Sequence, residues 1–434
     1  MMPHVPARAL AVLVVIAAVA LACEPFGAQG APRSGAGPDA ASTAVFGERL
    51  AFGLRNDPTD LNWMVESGVP WAARYTYLSG GVNTGEGWAT WTSEPGFYAT
   101  DYARRTNAAG YVPIFSYYQL QQSRPKIGTT ERERAYSNLT DRATMRDYYR
   151  DFRLLMRSLA DVGMAVVHVE PDLWGYIEQA RPEASAVPVS VRSSGDPDVS
   201  GEPDNAAGFA QALLGLRDKY APHVLLAVHA SAWGAGPDPV VSTTAVDAAR
   251  LARDTAHFLR SLERTDRRWD LVFHDVIDRD AALAAGKVAG RSWWDATDQT
   301  LPNFARWLVF VRTLSSSLER PIVVWQVPVG NQRFRSMDNS PGHFQDNRAE
   351  YFLAHADLLA ASGVAAVLFG PGVDDATWYL DARHDGVTNP PAVSAFGCDR
   401  CNTEIATFAD DDGGNLRLAV GAYYRSGGVA LQPR

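Results

Sequence analysis

Short apolar runs alternate with amphipathic segments along the chain from residue 49 onward. The runs are rich in β-branched and aromatic residues and end in polar residues, which is typical of strands buried in a parallel sheet. Eight strands are predicted, at residues 50–54, 73–78, 111–117, 164–170, 224–230, 271–277, 322–327 and 364–369. Apolar residues recur every three or four positions between them, which predicts helices at residues 145–162, 206–220, 244–262, 304–318 and 346–362.

Eight strand–helix units favour an α/β fold of one domain, a closed (β/α)8 or TIM barrel. The alternative is an open doubly wound sheet, whose nucleotide-binding forms lose support because no Gly-rich phosphate loop follows the first strand. Residues 181–204, after the fourth strand, are rich in Pro, Ser, Gly and Asp and predict a long irregular loop. The residues after the eighth strand form a short C-terminal extension with a helix near residues 416–424.

The N-terminus has the pattern of a signal peptide over residues 1–22, with an apolar stretch at residues 9–22. A membrane-spanning helix needs about 20 apolar residues, so this stretch is too short to be an anchor. Residues 20–23 resemble a bacterial lipoprotein processing site, which implies a lipid on Cys23 and a cell-surface location. The alternative is plain secretion with later cleavage. The Gly-, Ala-, Pro- and Ser-rich residues 23–44 predict a flexible tether, and the barrel is expected over residues 45–434.

Charge and cysteine content exclude several classes of protein. The chain has 40 Lys and Arg against 49 Asp and Glu, a net charge of −9, and lacks the basic patch of a nucleic-acid-binding protein. Three cysteines are too few for a disulfide scaffold. Their spacing in a secreted chain predicts a local disulfide between Cys398 and Cys401. We expect a monomer without a cofactor, which contacts a membrane only through the N-terminal lipid.

Polar and aromatic residues are concentrated where the predicted strands end. In a barrel of this class the active site lies at the C-terminal strand ends, because the following loops converge there. Aromatic rings pack on sugar faces, while amides, carboxylates and imidazoles bind hydroxyl groups. A carbohydrate substrate is therefore predicted, bound by Arg74, Tyr75, Tyr117, His229, Trp233, Trp293, Trp294, Gln326 and Asn331.

The fourth strand ends abruptly in a carboxylate, Glu170, followed by Pro171 and Asp172. This ending resembles the barrel glycoside hydrolases whose fourth strand ends Asn-Glu-Pro and whose Glu is the general acid/base. The resemblance covers the inferred fold and about three residues of motif. It implies hydrolysis of O-glycosidic bonds with Glu170 as the proton donor.

The chain departs from that family pattern at two positions. Val169 replaces the Asn before the Glu, and Gln326 stands on strand seven where the family has a nucleophilic Glu. Since an amide cannot act as that nucleophile, a second carboxylate is needed, with Asp275 the first candidate and Asp172 the second. Strand six is two strands from strand four, and the wide gap favours an inverting mechanism with Asp275 as general base.

Two other functions are compatible with the same residues. The missing strand-seven Glu is compatible with an inactive barrel that binds glycans at the cell surface. The histidines at strand ends, His168, His229 and His274, are compatible with a metal-dependent hydrolase, although no His-x-His motif stands at the first strand. Glycoside hydrolysis without a metal is the preferred prediction.

Overall fold

The computed structural model describes residues 38–287, 293–335, 344–371, 376–389, 398 and 400–432. The predicted signal peptide, Cys23 and residues 23–37 of the predicted tether lie outside these ranges. Across the described ranges, no helix is both long and apolar enough to cross a membrane.

Eight parallel strands close into a barrel, which confirms the predicted (β/α)8 class. The strands follow one another around the barrel in chain order, and the last pairs with both the seventh and the first. They are β1 (Ala51–Arg55), β2 (Ala73–Leu78), β3 (Val112–Tyr117), β4 (Val166–Val169), β5 (Leu225–His229), β6 (Leu271–Asp275), β7 (Ile322–Val327) and β9 (Val364–Phe369). Two short strands, β8 (Phe334–Arg335) and β10 (Glu404–Ile405), form a separate parallel pair.

Helices fill the links between the strands and form an outer layer. They are α1 (Pro38–Phe46), α2 (Leu61–Glu66), α3 (Phe97–Ala108), α4 (Glu131–Thr140), α5 (Arg142–Leu159), α6 (Pro171–Ala180), α7 (Ala206–Tyr220), α8 (Ala248–Ser261), α9 (Ala281–Lys287), α10 (Phe304–Leu318), α11 (Arg348–Ala354), α12 (Ala356–Ala361) and α13 (Asn415–Arg425). The single helix predicted at residues 346–362 is divided, because His355 has the non-helical angles φ −122° and ψ 40°.

Helix α1 corrects the predicted boundary between tether and barrel. Residues 38–44 were expected to be flexible, but Pro38–Phe46 is helical. Ala41, Val45 and Phe46 are buried and join the apolar cluster inside the barrel, at the end where the strands begin. Their spacing places them on one face of a helix, and burial of that face orders a segment whose composition suggests a tether. The folded domain therefore begins by residue 38.

The long loop after β4 and the C-terminal extension are both present. Residues 181–204 contain three short 3-10 helices and are held to α5 by Arg153, which pairs with Asp196 and Asp198 at 2.5 and 2.7 Å. A disulfide joins Cys398 and Cys401, whose Cα atoms are 5.3 Å apart.

The barrel wall has two faces, which successive residues of a strand take in turn. On β2, Tyr75 faces the barrel interior and packs on Trp325, at 6.1 Å between ring centroids. The residue before it, Arg74, faces outward. It lies against Tyr102 of α3, with its guanidinium 4.1 Å from the ring centroid. This alternation decides which of the predicted site residues face the barrel interior and which face the surrounding helices.

Candidate active site at the barrel mouth

The C-terminal strand ends and the loops that follow bring seven polar side chains to one end of the barrel. We call this surface the barrel mouth and define it by Arg55, Tyr77, Asp172, His229, Asp275, Asp278 and Gln326. The side chains of Arg55, Asp275 and Asp278 are 23%, 29% and 22% exposed, so this end is open to solvent. Of the predicted site residues, Asp172, His229, Asp275 and Gln326 meet here.

A chain of two histidines runs from the barrel interior to Asp275. Nε2 of His168 lies 3.1 Å from Nδ1 of His229, and Nε2 of His229 lies 3.2 Å from Oδ1 of Asp275. An ionised Asp275 accepts a hydrogen bond from the Nε2–H of His229, and in the neutral form of that ring Nδ1 is then the acceptor for His168. Burial keeps the pKa of His168 well below its ordinary value, so its ring is neutral. The hydrogen-bond network thus assigns one tautomer to each ring.

Asp275 is held in its ionised form. Burial by itself would raise the pKa of this carboxyl group. The hydrogen bond from His229, together with the positive charges that His229 and His274 carry when protonated, outweighs burial and lowers the pKa to about 2. Asp275 is therefore a carboxylate at neutral pH.

Asp172 is shifted in the opposite direction. It lies in the first turn of α6 and is partly exposed, and its Oδ2 accepts a 2.8 Å hydrogen bond from the hydroxyl of Tyr118. Burial raises the pKa of Asp172, and the negative charge of Asp275 raises it further. Two carboxyl groups whose environments separate their pKa values are the arrangement needed for one acid and one base.

Two further carboxyl groups, those of Asp238 and Asp278, interact electrostatically with Asp275. Burial raises the pKa of Asp238, in the loop after β5, to about 7, and the charge of Asp275 adds to that effect. Burial also raises the pKa of Asp278, which forms a 2.5 Å ion pair with Arg279. The like charges around Asp275 favour the protonated form of its neighbours.

Glu170 lies deeper than the predicted role of proton donor requires. The residue is 1% exposed, and its Oε1 accepts hydrogen bonds of 3.0 Å from the backbone N–H groups of Gln119 and Leu120. Its backbone adopts φ 44°, which breaks the two-residue alternation of β4. Burial raises its pKa to about 8. These contacts describe an anchor for the loop after β3, and the catalytic role of Glu170 stays a prediction.

Gln326 lies at the end of β7 with the positive φ of 55°. Its Nε2 donates a hydrogen bond to the hydroxyl of Tyr77. Tyr77 in turn packs on Trp325, at 5.9 Å between ring centroids. The position that carries a nucleophilic Glu in the resembling hydrolases is therefore occupied here by an amide that holds an aromatic ring.

Two predicted sugar-binding residues lie on the outer face of the barrel wall. Arg74 is 1% exposed and donates hydrogen bonds to the backbone carbonyls of Asn56 and Asp57, at 3.2 and 2.9 Å. Tyr117 is fully buried and donates a 2.7 Å hydrogen bond to Asp151. Both alternate with inward-facing neighbours, so the structure does not bring them to the barrel mouth.

Two more predicted residues are enclosed by neighbouring elements. Trp294 is 2% exposed and packs on Phe304 and Trp307, so its ring offers no face to a sugar. Asn331 is fully buried, where it donates to the carbonyl of Asp412 and accepts from backbone N–H groups. The structure therefore corrects the prediction that Trp294 and Asn331 bind the sugar, because both side chains are buried.

The other predicted aromatic residues lie near the barrel mouth at different depths. Tyr75 is fully buried in the barrel interior, where it contacts Tyr77. Trp233 is partly exposed and packs on Tyr176 of α6, at 5.0 Å between ring centroids. Trp293 is also partly exposed.

The sequence prediction did not include Arg55, Tyr77 or Asp278. Tyr77 was detectable, because it is two positions after Tyr75 and must share its face of β2. Arg55 ends β1, and Asp278 follows β6 by three residues. Their inclusion depends on how the loops turn, which no pattern of spacing reveals.

Among the residues that the structure describes, no group of three or more His, Cys, Asp or Glu side chains is arranged to hold a metal ion. His168, His229 and Asp275 form a linear chain of hydrogen bonds. His274 points away from them, with its Nδ1 2.9 Å from the carbonyl of Ala230.

No protein-family profile and no curated protein sequence matches the chain. Among solved structures, it is similar to an endo-beta-1,4-mannanase from Cellulomonas fimi, at 14% identity over 78% of this chain and 68% of that chain, with a TM-score of 0.45. It is also similar to a GH26 beta-mannanase from Bacteroides ovatus, at 12% identity over 90% and 94% of the two chains, with a TM-score of 0.45. A GH53 catalytic domain from Ignisphaera aggregans matches at 13% identity over 78% and 83%, with a TM-score of 0.38. At such low identities and TM-scores, the function has to be argued from the site.

Proposed function

We propose that the protein is a glycoside hydrolase that cleaves O-glycosidic bonds of a polysaccharide or oligosaccharide. The observation that carries the proposal is the pair Asp172 and Asp275 at the barrel mouth. The pKa of Asp172 is raised while the pKa of Asp275 is lowered to about 2. Glycosidic cleavage needs one protonated and one ionised carboxyl group beside the scissile bond.

In the proposed reaction Asp172 protonates the glycosidic oxygen as the bond from that oxygen to the anomeric carbon breaks. A water molecule attacks the anomeric carbon from the other side and gives its proton to the carboxylate of Asp275. The products are a free hydroxyl on the leaving sugar and a hemiacetal of inverted configuration. We assign the acid to Asp172 because Glu170 is enclosed and its Oε1 is bonded to backbone.

Aromatic and polar groups around this pair are suited to hold a sugar ring. Tyr77 and Tyr118 are partly exposed beside the carboxyl groups, and Trp378 and Trp233 are partly exposed in the loops. Their rings supply stacking faces, and His229 and Gln326 supply hydrogen-bonding groups. A carbohydrate is the ligand class that combines both needs.

The test is a panel of purified polysaccharides with detection of new reducing ends. We expect the full-length protein to release reducing ends from at least one glycan, and Asp275→Asn to lose about 100- to 10,000-fold of that activity. Asp254→Asn is the matched control, because Asp254 is exposed on α8 and pairs with Arg250. The absence of turnover on every glycan, or full activity of Asp275→Asn, would refute the proposal.

We further propose that the enzyme acts outside the cell as a monomer and is anchored by a lipid on Cys23. The supporting features are the apolar stretch at residues 9–22 and the processing-site pattern that ends at Cys23. Mass spectrometry of the mature N-terminus, with Cys23→Ser as the control, tests the anchor. An unmodified N-terminus beyond residue 23 would support plain secretion instead.

A further inference from the structure

The guanidinium of Arg55, at the barrel mouth, has N–H donors that form no hydrogen bond within the described residues. Arg55 ends β1, and its side chain is 23% exposed. No hydrogen bond joins this guanidinium to any part of the chain that the structure describes, and its ion-pair partner, Asp57, is 3.7 Å away between Nη2 and Oδ2. A guanidinium carries five N–H donors, so most of the binding capacity of Arg55 is unused.

Two other enclosed arginines of this chain make two or more side-chain hydrogen bonds each. Arg348 is 1% exposed and donates to Asp346 and to three backbone carbonyls. Arg320 is 4% exposed and binds both carboxylate oxygens of Glu263. A shielded charged group without a hydrogen bond costs stability, which explains why these two guanidinium groups are paired. Arg55 is the contrasting case, and it lies where a substrate would bind.

Two aromatic rings hold Arg55 in this position. Its Cζ atom lies 5.6 Å from the ring centroid of Tyr77 and 5.7 Å from that of Trp378. Cation–π contacts of this kind stabilise the charge without using the N–H donors, which point along the guanidinium plane. Tyr77 also experiences the charges of both Arg55 and Asp172, so the arginine and the proposed acid share one cleft.

We infer that Arg55 binds an anionic substituent of the substrate, either the carboxylate of a uronic acid or a sulfate ester. The inference rests on the proposed glycoside hydrolase function and names its substrate class. The planar fork of a guanidinium matches two oxygens of such a group, and the flanking rings match the face of the sugar that carries it.

The charges around Arg55 restrict where the anion binds. Asp57, Asp172, Asp275 and Asp278 line the same cleft, and an anion beside those that are ionised would be repelled. The guanidinium of Arg55 offsets that repulsion, so the substituent is directed to Arg55. This combination of one attraction and several repulsions gives orientation as well as affinity.

The inference is tested by binding to the full-length Asp275→Asn variant, in which turnover is suppressed. The probes are oligogalacturonate with its carboxyl-reduced neutral form, and a sulfated galactan oligosaccharide with its desulfated form. Calorimetric titration should show one anionic member binding about 10- to 100-fold more tightly than its neutral counterpart. The pair that shows the preference identifies the anion as carboxylate or sulfate.

Variants of Arg55 in the same background assign the preference to this residue. Arg55→Met should abolish it, and Arg55→Lys should keep part of it, because the charge remains while the fork is lost. Arg250→Met removes the same charge from an exposed pair on α8 and should keep the preference. Similar unfolding temperatures of the variants establish that they are folded.

The results separate this inference from the proposed function. Equal binding of the anionic and neutral members, no binding by any member, or a preference that survives Arg55→Met would overturn the inference. Hydrolysis of neutral glycans with those results would leave the glycoside hydrolase proposal standing. An Arg55-dependent preference without hydrolysis by the wild-type protein would support anion binding and refute hydrolysis.

Discussion

His229 and Asp275 are joined by a hydrogen bond of 3.2 Å that crosses from β5 to β6. The bond stabilises the carboxylate form of Asp275. On the other side of the His229 ring, Nδ1 lies 3.1 Å from Nε2 of His168, which favours the tautomer of His229 that carries its proton on Nε2. The titratable groups whose charges act on Asp275, or on which its charge acts, come from several elements: His274, Asp278, Asp238 and Asp172. This chain of hydrogen bonds thus ends in a carboxylate that is partly exposed to solvent.

Replacement of His229 by Ala should move the acidic limb of the pH–rate profile upward. Asp275 must be ionised to act as a base, and loss of the His229 hydrogen bond removes the main cause that lowers its pKa to about 2. We expect a rise of about one pH unit or more, visible in kcat/KM between pH 3 and 6. His229→Asn, whose amide can still donate, should show a smaller rise. An unchanged limb in both variants would show that His229 does not act on Asp275.

Activity should fall as the pH rises through the pKa of Asp172. The proton donor works only in its acid form, and burial together with the charge of Asp275 raises this pKa above its ordinary value. Asp172→Asn should lose about 100- to 10,000-fold on natural glycans but far less on aryl glycosides, whose leaving groups need little protonation. Equal losses on both substrates would argue against Asp172 as the acid.

Replacement of Glu170 by Gln should leave most of the activity intact. The Gln carbonyl can still accept the hydrogen bonds from Gln119 and Leu120. The wild-type carboxyl group has a folded pKa of about 8, above its ordinary value, so the folded state retains a proton that the unfolded state loses. Wild-type stability should therefore fall as the pH rises toward 8, and the Gln variant should show a flatter profile in denaturant unfolding. A 100-fold loss of activity in a folded Gln variant would return the proton-donor role to Glu170.

Asn331 should prove structural. Its side chain donates to the carbonyl of Asp412 and accepts from the N–H groups of Arg333 and Phe334. Asn331→Ala leaves these buried groups unpaired, and we expect a loss of about 2–4 kcal/mol in the free energy of unfolding, with KM unchanged. Chemical denaturation and substrate titration measure the two effects. A higher KM without a loss of stability would place Asn331 in the binding site.

The predicted strands reproduce the observed barrel closely because the burial pattern of a strand is local. Residues 73–78, 322–327 and 364–369 were predicted at the bounds that the structure shows for β2, β7 and β9. The other strands differ from the prediction by one or two residues at an end. At α1 the composition led to the wrong prediction of a flexible tether, because an Ala-rich sequence is compatible with both a tether and a buried helix.

The candidate site was predictable only in part. Asp172, His229, Asp275 and Gln326 were identified from their place at strand ends, since the C-terminal ends of parallel strands converge. Arg74 and Tyr117 were misplaced because an adjacent position on a strand faces the opposite side of the wall. Trp294 was misplaced because its neighbours Phe304 and Trp307 come from another element.

The sequence by itself determined the eight barrel strands and the α/β class, since both depend on local periodicity. The tertiary structure decided how deep each carboxyl group lies. Glu170 and Asp172 are two residues apart, but a positive φ at Glu170 turns its side chain onto the amides of the loop after β3, while Asp172 reaches Tyr118 at the barrel mouth. The pKa values of Asp172 and Asp275, the proposed acid and base, differ because burial and neighbouring charges move a pKa, and both effects arise only when distant segments pack together.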